Sequence, residues 1–115
     1  MTADATKLVD WLVIISDHEN VGRERLAGRE AHLQGLVPHI ASGFWTMGGA
    51  LLKAPEEGQG QVVNGSCLVA NATTKEEVIA KLQADIYYNG VWNLEKVQIF
   101  PLAIAFRKEK TDGLL

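Results

Sequence analysis

Three histidines, His18, His32 and His39, supply the imidazole chemistry of this 115-residue sequence. None stands at HxH or HExxH spacing from another, and no carboxylate cluster completes a ligand set, so no metal site is expected. His32 is the informative one. It lies in the stretch Arg29-Glu-Ala-His-Leu33, inside a segment with helical periodicity. Alone, such a histidine is more often a packing residue than a catalyst. Asp85 opens the segment Asp85-Ile-Tyr-Tyr-Asn-Gly90 behind a second helical stretch, and its plain reading is a helix-terminal or turn aspartate. As a pair they mean more. A carboxylate that accepts from one imidazole nitrogen fixes the tautomer and raises the basicity of the other nitrogen. His32 and Asp85 are therefore the candidate catalytic residues for proton transfer on a small organic molecule.

Arg29 precedes His32 by three residues, so both side chains can share one flank of a helix. Arg25 and Arg29 stand one turn apart and are either a solvated face or a planar fork for a carboxylate or phenolate. Arg29 and Ser66 are the candidates to bind developing oxyanion charge. Trp45, Tyr87 and Trp92 are candidate pocket walls, and equally good core filler. Cys67 reads as a small hydrophobe within a strand. Glycines at 48, 49 and 65 leave room above their strands for a ligand. Neither GxGxxG nor GxxxxGK[ST] occurs, and no cofactor is expected.

The elements that must position these groups follow from the hydrophobic period. Trp11-Leu-Val-Ile-Ile15 reads as a strand ending at Ser16-Asp17. From Gly22 to Ser42, Leu26, Leu33, Leu36, Val37 and Ile40 fall at helical spacing, with a kink or break expected near Leu36 ahead of Pro38. Gly43 is the expected stop. Phe44 to Leu52 reads as a second strand, Lys53 to Gln61 as a flexible hairpin loop, and Val62 to Ala72 as a third strand. Thr73 or Thr74 caps a helix running through Ala84, with Thr74-Lys-Glu-Glu77 matching a capping box. A long final strand is centred on Val97 to Phe106. The order β-α-β-β-α-β predicts a ferredoxin-like α+β fold: a four-stranded antiparallel sheet with both helices on one face. Both faces of the last strand are apolar, yet the helices cover only one, so a homodimer packed sheet to sheet is expected.

Composition sets the wider class. Hydrophobic residues at 47% and charged residues at 22% describe a single globular domain spanning 1–115, with its core over 10–106 and flexible ends at 1–7 and 107–115. Eleven basic against fourteen acidic side chains, a net charge of −3, argue against nucleic acid as a partner. No apolar stretch is long enough to span a membrane, and no secretory signal is visible. One cysteine cannot form an internal disulfide. A cytoplasmic protein acting on a small molecule is the expectation.

Several of these residues coincide with a known pattern. Asp17 follows the first strand, Arg29-x-x-His32-Leu33 lies on the first helix, and Gly43 closes it. Gly49, Gly65-Ser66, Asp85-x-Tyr87, Gly90-Val91, Val97 and Pro101 continue the series. In these features the sequence resembles the YCII-related family of the dimeric α+β barrel superfamily, from Asp10 to Phe106. The resemblance implies a His–Asp centred site, here His32 with Asp85. Some relatives are dehydrochlorinases or similar lyases acting on hydroxylated aromatic rings. The family usually carries Asp-Pro-Tyr where Ile86 stands and Gly-Pro where Gly49-Ala50 stands, so a looser turn around Asp85 is expected here. The leading expectation is a cofactor-independent lyase or isomerase, of dehydratase, dehydrochlorinase or cyclase type, on a hydroxylated aromatic or polyketide-like substrate. A non-catalytic binding or accessory protein is the alternative, and a cofactor-free or haem monooxygenase of the same superfamily ranks third.

Overall fold

The computed structural model describes residues 7–55 and 62–110. Its elements are β1 (Val9–Ser16), α1 (Gly22–Ala41), β2 (Trp45–Leu52), β3 (Val63–Ala72), α2 (Lys75–Gln83) and β4 (Gln98–Leu102), with 3₁₀ turns at Ile86–Tyr88 and Leu94–Lys96. The strands form one antiparallel sheet in the order β2-β3-β1-β4, the ferredoxin-like arrangement read from the sequence.

Alternation along β1 sets the two faces. Val13 and Ile15 are fully buried on the helix side, with Leu68 and Ser66 opposite them on β3. Trp11 completes the row and donates its indole N–H to the Ala72 carbonyl at 3.1 Å. Val78 and Leu82 seal the α2 side of the core. Thr74 caps α2 by accepting from the Glu77 N–H at 3.2 Å, and its neighbour Thr73 bonds the Glu77 carboxylate.

Four details depart from the sequence reading. The expected break near Leu36 is absent: helix α1 runs on through Pro38 to Ala41, although the proline has no N–H to offer the preceding turn. The helix ends in a Schellman motif, Gly43 at φ +84° with its N–H on Ile40 O and the Phe44 N–H on His39 O. Leu26, expected in the core, is 74% exposed, because the inward row of that helix end carries Arg25, Gly28 and His32 instead. Strand β4 stops at Leu102 rather than Phe106. Beyond it the chain leaves the sheet edge and packs over Met47 and Val69 on the open face, where Arg107 donates to the carbonyl and hydroxyl of Thr46 at 3.3 and 3.2 Å. Arg107 lies at the start of the end expected to fray and is itself exposed. The expected loop at 53–61 and both chain ends fall largely outside the described residues.

Candidate active site

The site begins with a row on one side of α1. Seven residues separate Arg25 from His32, which at 100° per residue leaves their side chains within about 20° of each other, two turns apart. Gly28 lies between them, and the Tyr87 ring rests on it. A Cβ at residue 28 would stand 3.2 Å from Tyr87 Cε1. The ring stacks on His32 with centroids 4.0 Å apart, and the Arg25 guanidinium lies 4.8 Å from its centroid. The phenol donates to the backbone carbonyl of Arg25 at 2.7 Å. Burial pushes the Tyr87 phenol above the ordinary tyrosine value of 10.0, against the opposing pull of Arg25, so it remains a protonated donor at neutral pH.

Asp85 is fixed by the turn it opens. Its Oδ1 accepts from the Tyr87 N–H at 2.8 Å and so caps the 3₁₀ turn. The same oxygen lies 2.8 Å from His32 Nδ1. The side chains of His32 and Asp85 are 9% and 8% exposed, so the contact is sheltered from water. With Ile86 in place of the family proline, the Asp85 carboxylate is nonetheless directed at both His32 and the Tyr87 N–H. A carboxylate only accepts, so Nδ1 is the donor in this contact and Nε2 is the ring nitrogen left for a ligand. Trp92 places an edge against the imidazole, 5.6 Å between centroids at 87°.

A second polar cluster adjoins the first through the same two aromatic rings. At the end of β1, Asp17 receives Arg25 Nε at 2.7 Å and Nη2 at 3.3 Å. Arg25 Nη2 also reaches the Gly65 carbonyl at 2.9 Å and Ser66 Oγ at 2.6 Å. Trp92 Nε1 donates to Ser66 Oγ at 3.0 Å. Backbone bonds place the indole there: His18 N–H to Val91 O at 2.8 Å and Asn93 N–H to Ser16 O at 2.9 Å tie the 91–93 segment to the end of β1.

The structure thus brings together His32, Asp85, Tyr87, Trp92 and Ser66. Trp45 belongs instead to the core, edge-on to Phe44 at 4.8 Å. Arg29 points to the surface, 60° off the His32 direction by helical geometry, and makes no hydrogen bond among the described residues. The row on α1 passes to Arg25, whose partner Asp17 the sequence reading did not assign to the site. The glycines divide as well. Gly65 leaves no room, since a Cβ there would lie 2.4 Å from the Ile15 carbonyl oxygen, and Gly48 is already covered by Leu68 at 3.3 Å. Gly49 alone of the three has nothing within 4 Å. Cys67 faces the opposite side of the sheet, beside Ile14, and burial raises its thiol pKa. Among the described residues no three His, Cys, Asp or Glu side chains converge as a metal site. His18 lies at an open cleft of about 540 Å³ with Tyr88, Asn89 and Glu95, and Trp92 is the one expected wall residue that lines it. No helix among the described residues is long and apolar enough to cross a membrane.

Comparison with known proteins extends this picture. The chain is 32% identical over 99 residues to fusaric acid biosynthesis protein 2 of Gibberella fujikuroi, covering 84% of this chain and 95% of that protein. It is also 32% identical over 111 residues to aspartate kinase FUB3 of Fusarium oxysporum f. sp. lycopersici, but spans only 20% of that protein's length. Among solved structures, 5-chloro-2-hydroxyhydroquinone dehydrochlorinase (TftG) of Burkholderia phenoliruptrix, in complex with 2,5-dihydroxybenzoquinone, superimposes with a TM-score of 0.71 at 22% identity, over 82% of this chain and 93% of that one. That likeness is one of fold. The model of the YCII-related domain matches residues 9–103, nearly everything from β1 to the end of β4, and this protein belongs to the YCII-related family.

Proposed function

We infer that the protein is a cofactor-independent lyase or isomerase working by general acid–base catalysis. The observation that carries this reading is the 2.8 Å contact between His32 Nδ1 and an Asp85 oxygen that is itself pinned by the Tyr87 N–H. In the resting tautomer Nε2 takes a proton from a substrate C–H or O–H. The imidazolium so formed is stabilised by Asp85, then delivers the proton to a leaving hydroxide or chloride, or to a second carbon. Elimination of water or HCl, ring closure and double-bond migration all fit this cycle. The fold likeness to a dehydrochlorinase and the kinship with a fusaric acid biosynthesis protein support a small organic substrate. Hydroxylated aromatic or polyketide-like molecules are the class proposed.

The same reading takes the protein as a homodimer through the open sheet face. Met47 at 43%, Phe100 at 46% and Phe106 at 89% exposure are the observations that support it.

The test is turnover of a panel of hydroxylated and chlorinated ring compounds in deuterated water, followed by mass spectrometry for loss of water or HCl and for solvent deuterium uptake. His32→Asn is expected to lower the rate by about 10² or more while the melting curve stays cooperative. Wild-type turnover that survives His32→Asn refutes the base assignment. A wild type that binds panel members without converting them supports the accessory-protein reading instead.

A further inference from the structure

Ser66 is the least conspicuous polar group in the site and the most constrained. It is 4% exposed. Its oxygen receives two hydrogen bonds, from Arg25 Nη2 at 2.6 Å and Trp92 Nε1 at 3.0 Å. Neither partner has any other way to bond, since guanidinium and indole nitrogens only donate. A serine hydroxyl has two acceptor positions and one proton. Both acceptor positions are filled, and the proton meets no acceptor among the described residues. The hydroxyl is therefore a donor whose orientation is dictated by its neighbours, and one of those neighbours is a cation that strengthens it.

Arg25 is held for this task. Asp17, with 4% of its side chain exposed, grips Nε and Nη2 and offsets the guanidinium charge. The carboxylates of Asp17 and Asp85 and the guanidinium of Arg25 share the cluster, and Arg29 acts on Tyr87 from outside it. A ligand that gives up its proton to His32 sets its new oxyanion beside the Ser66 proton. There is also a place for it. On β2, Ala50 stands directly across from Ser66 on the helix side of the sheet and is exposed, so the strip beside the buried serine is open at that point.

Building on the acid–base reading above, we propose that Ser66 is the donor that recognises the oxygen of a neutral phenol or enolisable ketone as it ionises, and that Arg25, clamped by Asp17, is the positioning residue that aims it. The donor is fixed before the ligand arrives, so little reorganisation is needed as charge develops.

The experiment is equilibrium binding of two probes, 4-nitrophenol and its methyl ether 4-nitroanisole, with the ionisation of bound nitrophenol read from its absorption band. Wild type is expected to prefer the phenol. Ser66→Ala and Arg25→Met each lower affinity for the phenol by about tenfold or more, leave the ether unchanged, and move ionisation of the bound phenol to higher pH. Should Arg25→Met fail to fold with Asp17 left unpaired, the double variant Asp17→Asn/Arg25→Met carries the same measurement, because no buried charge is then alone. Equal losses for phenol and ether would mean a structural role only and overturn the proposal. So would wild-type affinity in Ser66→Ala, or no saturable binding of the phenol by wild type. Failure of the acid–base reading is separate, since it appears as turnover surviving His32→Asn and leaves this binding measurement untouched.

Discussion

Replacing Gly28 by alanine sets two effects of opposite sign against each other. In an exposed helix interior, Gly→Ala stabilises by about 1 kcal/mol, because the unfolded chain loses freedom it would otherwise regain. At this position the new methyl meets Tyr87 Cε1 at 3.2 Å, with Cδ1 at 3.8 Å behind it. The ring cannot swing away cheaply. Its hydroxyl is held by Arg25 O at 2.7 Å, its backbone N–H by Asp85 at 2.8 Å, and its far face by His32 at a centroid spacing of 4.0 Å. Overpacking of this kind costs about 1–3 kcal/mol. The expected net result lies between no change and about 2 kcal/mol of destabilisation. Urea unfolding measures it, and a double-mutant cycle isolates the cause. In a Tyr87→Leu background, where no atom reaches the Cε1 position, Gly28→Ala should recover its ordinary gain of about 1 kcal/mol. A full gain in the wild-type background, or the same sign in both, would refute the wedge.

Two further outcomes follow from the same geometry. Because burial raises the Tyr87 pKa above 10.0, the native state keeps a proton that the unfolded chain gives up. Stability relative to Tyr87→Phe is therefore fully present below pH 10 and declines as pH rises above it, which melting curves of both proteins across that range will show. Gly65→Ala should cost about 3 kcal/mol or more, since its Cβ would sit 2.4 Å from the Ile15 carbonyl oxygen in the β1–β3 ladder, whereas Gly49→Ala, with nothing within 4 Å, should be close to neutral. Denaturant midpoints of the two variants decide it.

The contrast between Arg29 and Arg25 shows what the sequence makes legible here. A helix fixes angular positions, so the inward direction of His32 implies its companions once known. The i,i+3 relation favours Arg29, while the two-turn relation, closer in angle, selects Arg25, and the i,i+4 relation selects Gly28. Leu26 pulled the expected apolar stripe away from that row, and only the arrival of Tyr87 from a distant turn explains why a glycine and an arginine face inward. Asp85 was legible because two helices on one sheet face bring the segment after the second near the first, and because the family resemblance implies the His–Asp pair. The early end of β4 was not. Ala103 to Phe106 has strand-like alternation, and its departure from the sheet toward Thr46, which Arg107 reaches across the open face, leaves no mark in that alternation. Gly65 likewise looks like spare volume until its strand neighbour is known.

The strand order carries a consequence for biosynthesis. β1 is translated before the other three strands of this sheet, yet it occupies an interior position, flanked by β3 and β4. Val13 must wait for Leu68 on one side and for Ile99 on the other. Throughout that interval the run Trp11 to Ile15 has two bare hydrogen-bonding edges and a β-branched surface, the properties that recruit foreign strands. The site is equally late, since Asp17, Arg25, Ser66 and Trp92 meet only when the segment joining α2 to β4 has emerged. A chain interrupted before that point carries a sticky intermediate in which the site has not formed, so holdase chaperones that shield extended apolar segments should matter to the yield of this domain.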